Sequence, residues 1–305
     1  MPKRHHSETI YVEDIIKTID LNKGFRAGLD ELTTDELTAL LADLANSANI
    51  PTSALQKPTP NLPSFSTAKW SEVARGFGMQ SVASRATLEH FQTPKYYLLL
   101  SLHEAMFKDA WRWHDVYRER PEQTREAARV RLLEPYIVPI ISLFQGRLVD
   151  APEETMMATK YSSGGRVEHE IYMIGGFMFL VVEFKLDMLK DHSLVQLFLE
   201  LLSAAEMNKE LSFKNLRVYS LLTDFLQFRF YSYDPCEAKF CMDEIIMIGS
   251  ERVQALSRMI KVSNKLFSIL LSAYEDGLQA IIAQSKDRAK KNDVILSTVY
   301  QIGRY

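Results

Sequence analysis

Phe177-Met178-Phe179-Leu180-Val181-Val182-Glu183-Phe184-Lys185 is the stretch on which the fold turns. A run of bulky apolar residues, bounded by Gly175-Gly176 upstream and a polar break downstream, has the pattern of a central strand covered on both faces. Side chains alternate along a strand, so Glu183 and Lys185 share a face and aim a carboxylate and an ammonium the same way at its tip. A strand that merely surfaces would also carry such a pair. Glu237-Ala238-Lys239, in a turn-like setting after Asp234-Pro235, shows how readily the triplet arises by chance. The flanking segments have to decide.

Gly164-Gly165-Arg166-Val167-Glu168-His169-Glu170-Ile171-Tyr172-Met173-Ile174-Gly175-Gly176 has the pattern of a turn, a strand and a second turn. With the Glu183 strand it predicts an antiparallel hairpin closed by a glycine-containing loop. That pairing sets the start of the first strand beside the end of the second, so Glu168 or Glu170 falls near Glu183 and Lys185. Asp191 and Ser193 are candidate N-caps for a mostly apolar, buried helix running toward Asn208, with Gln196 in its first turns. Leu216 to Thr223 and Phe225 to Tyr233 follow as two more strands. The order is strand, strand, helix, strand, strand.

In this order the residues resemble the PD-(D/E)xK nuclease-like superfamily, the fold of many restriction and repair nucleases. The likeness rests on Gly-Arg-Val-Glu168, then Glu183-Phe184-Lys185, then a helix bearing Gln196, then Val218 to Asp224 followed by Phe228-Arg229-Phe230. The last part is similar to a Leu-Thr-Asp and aromatic-strand signature in nuclease domains of type I restriction subunits and in related fungal proteins. The resemblance spans roughly residues 125 to 234. It implies an α/β, restriction-endonuclease-like mixed central sheet flanked by helices, with additional N- and C-terminal helical segments.

The resemblance further implies metal-dependent hydrolysis of DNA phosphodiester bonds by a Mg²⁺-activated water, with Mn²⁺ as a substitute. Glu168, Glu183 and the backbone carbonyl of Phe184 would hold the ion, a hard cation that takes oxygen ligands and keeps several waters. Lys185 would orient the attacking water and stabilise charge on the phosphate, and Gln196 would position Lys185 or contact the substrate backbone. A further acid usually comes from the helix before the sheet. Thr124 to Gly146 is that candidate helix, with Pro135 and Pro139 expected to kink or split it, and Glu134 sits at such a break. An ordinary exposed carboxylate is the alternative there. The family's first acid is usually Asp; here it is Glu168, with Glu170 as rival, which keeps the charge and lengthens the arm. A non-enzymatic scaffold of the same fold, binding protein or nucleic acid, is the competing expectation.

Composition sets the outer bounds. The chain has 305 residues, 47% of them apolar, enough for one large core or two smaller ones. Met1-Pro2-Lys3-Arg4-His5-His6 lacks the apolar segment of a secretory signal, and no stretch reads as long and uncharged enough to cross a membrane. Two cysteines, Cys236 and Cys241, make neither a disulfide framework nor a zinc site, so an intracellular setting, nuclear or cytoplasmic, is expected. The net charge of −3 argues against blanket attraction to phosphate. Local basic clusters, Arg112 to Arg131 and Lys286 to Lys291, are candidate paths for DNA or RNA. A solvated helix end accounts for the second equally simply.

Four zones follow. Residues 1–65 form an arm with one short helix, Asp35 to Ala45, capped by Thr33 or Thr34, and a linker carrying Pro51, Pro58, Pro60 and Pro63. Residues 66–148 read as helical and packed on the core. Trp111 and Trp113 there fill an interface or stack on bases, and His103 reads as a packed histidine. Residues 149–235 make the α/β core. Residues 236–305 read as helical from Cys241, with Leu256, Met259, Ile260, Leu266, Ile269 and Leu270 on recurring faces. The helical ends are candidate surfaces for a protein partner or a second copy.

Overall fold

The structure, a computed structural model, describes Leu40 and residues 62–71, 74, 88–119, 122–173, 176–185, 191–213, 215–249 and 251–302. The chain divides into two compact units, Met1–Lys57 and Pro58–Tyr305. Of the first, only Leu40 is described, helical and buried. The rest of the expected arm helix, its Thr33 or Thr34 cap and Pro51, Pro58 and Pro60 lie outside the described residues. Phe65, assigned from sequence to the end of that arm, is a core residue of the second unit.

The second unit is a mixed α/β structure. In chain order it contains β1 (Glu89–His90), α1 (Leu100–Tyr117), α2 (Glu126–Ser142), β2 (Leu148–Pro152), β3 (Thr155–Met156), β4 (Gly165–Arg166), β5 (His169–Met173) and β6 (Met178–Phe184). Then come α3 (Asp191–Glu210), β7 (Val218–Thr223), β8 (Gln227–Asp234), β9 (Lys239–Met247) and α4 (Arg252–Ile302). Seven strands make one sheet in the order β1-β9-β8-β7-β6-β5-β2, and β3 pairs with β4 alone. β6 and β7 run parallel, joined by the α3 crossover, and β5 and β6 form the expected antiparallel hairpin. Gly176 closes that hairpin at φ +86°, a backbone conformation that favours glycine, with its N–H on the Met173 carbonyl.

Every residue of β6 is buried because both faces of the sheet are covered. Leu180, Val182 and Phe184 join the core formed with α1, α2 and α4. Met178 and Val181 join the core formed with α3 and residues 65–74. Glu183 and Lys185, in phase with Val181, therefore face α3. Ser193, a candidate cap, lies within the first turn of α3 and is buried. The Asp191 side chain lies outside the described residues.

Three sequence expectations are corrected. Pro135 and Pro139 sit inside one uninterrupted α2, neither splitting it nor ending it. Leu132, Leu133, Tyr136, Ile137 and Ile140 lock that helix into the core on both sides of the prolines, and Ser142 Oγ donates to the Pro139 carbonyl of the last turn at 2.7 Å. Second, Cys241 to Met247 is strand, not helix. The Asp234 carboxylate accepts from the Cys236 N–H at 2.9 Å, Ala238 turns through φ 52°, and β9 folds back antiparallel on β8. Third, an 18-residue window within Arg252–Lys290 has a mean hydropathy of 1.3, long and apolar enough to cross a membrane by length and composition alone. Leu256, Met259, Val262, Leu266, Ile269 and Leu270 of that helix pack in the sheet's core.

The aromatic segment of α1 is structural. His103 is buried and its Nε2 lies 3.2 Å from Asn264 Oδ1 of α4. The Arg252 guanidinium covers Trp111 at 4.7 Å, and Trp113 packs against Tyr117.

Candidate active site

The register of the hairpin pairs His169 with Val182 and Glu170 with Val181, so one residue further out Glu168 lies opposite Glu183. Glu168 Oε2 accepts the Phe184 backbone N–H at 3.0 Å, which ties the loop before β5 to the end of β6. Lys185 Nζ contacts Glu183 Oε1, with only 17% of the lysine side chain and 2% of the glutamate side chain exposed. Gln196, two turns into α3, donates from Nε2 to the same Glu183 Oε1 at 2.5 Å. Glu168, Glu183, Lys185 and Gln196, named from sequence, meet at the C-terminal end of β6.

Glu200 joins them, and sequence reasoning passed over it. It lies four residues after Gln196, on the same face of α3, and the Gln196 amide also reaches Glu200 Oε1 at 2.9 Å. Glu200 is fully buried. A charged residue inside Leu197-Phe198-Leu199-Glu200-Leu201-Leu202, a run that is otherwise wholly apolar, was the available signal.

Burial pushes the Glu183 carboxyl well above the usual carboxylate range, the charges of Glu200 and Glu168 and a hydrogen bond with Glu168 push it further, and Lys185 opposes them. Glu200 is raised to about 8, mainly by burial, with Glu168 adding to the shift. One oxygen on each, Glu183 Oε2 and Glu200 Oε2, is buried and accepts no hydrogen bond among the described residues.

The other two sequence candidates have partners of their own. Glu170 is buried two residues down β5, accepts a hydrogen bond from the Tyr172 hydroxyl, and is raised to about 7 by burial. Glu134 pairs with Arg131 of its own helix at 2.6 Å. α2 packs on the face of the sheet away from α3, and its Arg129 reaches the Lys185 carbonyl at the end of β6. The Phe184 ring is in the core, and its N–H holds Glu168.

Among the described residues, no group of three or more His, Cys, Asp or Glu side chains is disposed to hold a metal ion. Mg²⁺ commonly takes only one or two carboxylates and keeps its waters, so the donor set is tested better by its charge. Three carboxylates against one ammonium leave an excess of two negative charges when all are ionised, and two carboxylate oxygens are buried without donors. Both features fit a divalent cation; without one, burial drives Glu183 and Glu200 toward their neutral forms.

Basic groups lie unevenly. The Arg129 guanidinium reaches the Lys185 carbonyl at 3.5 Å. Arg229 of β8 stands in the cross-strand row Glu183, Leu222, Arg229, on the face toward α3, and its guanidinium rests on the neutral Gln227 side chain at 2.9 Å. Two strand spacings put its backbone about 10 Å from that of Glu183. Arg288, in the exposed cluster of Lys286, Arg288 and Lys290, lines a cleft of about 610 Å³ with Ser212, Asn215 and Leu216. That cleft lies before the start of β7, at the opposite end of the strands from Glu183, so it is not a path to the site. The Lys291 side chain lies outside the described residues.

No family model, curated protein or solved structure matches this chain.

Proposed function

We propose that the chain is a divalent-metal-dependent nuclease that hydrolyses phosphodiester bonds, with DNA as its substrate. The observation that carries this is the meeting of Glu168, Glu183, Lys185 and Gln196 at one strand end, with a buried Glu183 oxygen that lacks a donor. The order α2, β2, β5, β6, α3, β7, with a parallel crossover after the Glu-x-Lys strand, supports a restriction-endonuclease-like core.

Glu183 and Glu168, with the Phe184 carbonyl, would hold Mg²⁺ or Mn²⁺. The bound ion supplies a water of lowered pKa and neutralises charge that grows on the phosphate. Gln196 holds Glu183 Oε1 in place, which leaves Oε2 free to ligate. Lys185, beside that carboxylate, brings its ammonium to the attacking water and the non-bridging phosphate oxygens. The Phe184 N–H fixes the longer Glu168 arm, which answers the substitution of Glu for Asp at that position.

The test is cleavage of supercoiled plasmid, single-stranded DNA and RNA with Mg²⁺, Mn²⁺ or EDTA. Metal-dependent cutting is expected, abolished in Glu183→Ala and reduced about 10²- to 10³-fold in Lys185→Ala, the usual cost of one preorganised donor. Both proteins must keep the wild-type circular dichroism spectrum. Undiminished cutting by Glu183→Ala would sink the proposal. A second reading, a binding scaffold that kept the fold without the chemistry, is favoured by the burial of Glu183 and Glu200, which raises both carboxyls toward their neutral forms. It requires that the wild type neither cut nor bind Mn²⁺ at millimolar concentration.

A further inference from the structure

We propose that Glu200 of α3 is a direct ligand of the divalent cation, opposite Glu183. This rests on the metal-dependent reading of the site, and it adds a carboxylate from an element on which the nuclease resemblance places only Gln196.

The geometry is carried by one amide. Gln196 Nε2 donates to Glu183 Oε1 and Glu200 Oε1 together, so it clamps the two carboxylates side by side and occupies the same oxygen on each. The remaining oxygens, Glu183 Oε2 and Glu200 Oε2, are both fully buried and accept nothing among the described residues. A buried carboxylate oxygen without a donor forfeits its hydration with no return. Without a cation, a proton on Glu183 is shared by hydrogen bonds with Glu168 and Glu200, and a cation placed between these carboxyls would take that proton's place.

Local structure agrees. Glu200 sits among Leu197, Phe198, Leu199, Leu201 and Leu202, all buried, so its side chain cannot swing to solvent. Phe198 stacks on Phe240 at 4.0 Å and holds the helix against the sheet. The ammonium of Lys185 acts on both Glu183 and Glu200. A divalent cation would offset the charge the two carboxylates carry when both are ionised, beyond that single ammonium.

The experiment is a Mn²⁺ titration of the full chain at fixed pH, followed by electron paramagnetic resonance of free Mn²⁺ and by thermal melting. Wild type, Glu200→Gln, Glu200→Asp and Glu134→Gln are compared. Glu200→Gln keeps the shape and the Gln196 contact but removes the charge, so Mn²⁺ affinity should fall by more than about tenfold while the metal-free protein melts no lower than wild type. Should Glu200→Gln fail to fold, Glu200→Asp decides, since a carboxylate withdrawn by one methylene should also lose affinity. Glu134→Gln should bind as wild type. Wild-type affinity in Glu200→Gln or Glu200→Asp overturns the proposal, as does a wild type that binds no Mn²⁺. A wild type that binds Mn²⁺ through Glu200 but cuts no nucleic acid retains the ligand and rejects the nuclease. A wild type that cuts, with Glu200→Gln still binding Mn²⁺ normally, does the reverse.

Discussion

Glu170 shows what burial costs a carboxylate in this sheet. Burial raises it from 4.5 to about 7, Glu154 adds to the shift, and the Tyr172 hydroxyl opposes it. A carboxyl whose folded pKa is raised stabilises the fold in its neutral form. That contribution is fully present below pH 4.5 and is lost as pH rises through about 7. Glu183 and Glu200 shift in the same direction, so the metal-free protein should melt several degrees lower at pH 8 than at pH 5. Glu170→Gln should flatten part of that slope, as measured by thermal melting in chelator; an unchanged slope would remove Glu170 from the account. Glu168, Glu183, Lys185 and Gln196 were legible as residues because strand alternation and helix capping place them without tertiary detail. Glu200 was passed over, since its place beside Glu183 depends on how α3 seats on the sheet and not on the helix pattern alone.

At the level of elements, a strand or helix is set by what it packs against as much as by its own pattern. β6 and α3 were legible because unbroken apolar runs have few other uses. β9 was not: Asp243, Glu244 and the apolar residues around them fit either period, and pairing with β8 decided between them. α2 kept two prolines because its flanks are held in the core. α4 depends on a contact no local rule predicts. A Cβ on Gly277 would lie 2.1 Å from Phe177 Cζ and 2.8 Å from Met173 Sδ, and Phe177 is fully buried. Gly277→Ala gains helix propensity of about 1 kcal/mol but overpacks a site that cannot relax, at about 1–3 kcal/mol or more. The urea midpoint should drop by an amount equivalent to about 1–2 kcal/mol net, and an unchanged or raised midpoint would show that the helix can shift away.

For the whole molecule, a seven-stranded sheet is covered by α3 on one face and by α1, α2 and α4 on the other. The site lies at the C-terminal end of the parallel pair β6 and β7, under the N-terminal half of α3. With a net charge of −3, the proposed nuclease would need local basic groups near that end to attract nucleic acid. Among the described residues, Arg229 stands in the Glu183 row. Arg229→Ala should weaken DNA binding and lower the slope of log affinity against log salt by about 1, with Mn²⁺ binding unaffected; replacing Lys286 and Arg288 should leave both unchanged. An unaltered salt slope in Arg229→Ala would exclude a phosphate contact there. Period, capping and glycine turns act over a few neighbours, so β5 to β8, the helix between them and the residues at their ends were legible in the chain alone. Packing settled that Glu200 enters the site and that the Lys286 cluster lies at the opposite end of the strands. Those depend on which side of the sheet each helix takes, and that is set by the fit of whole apolar surfaces rather than by any local stretch of chain.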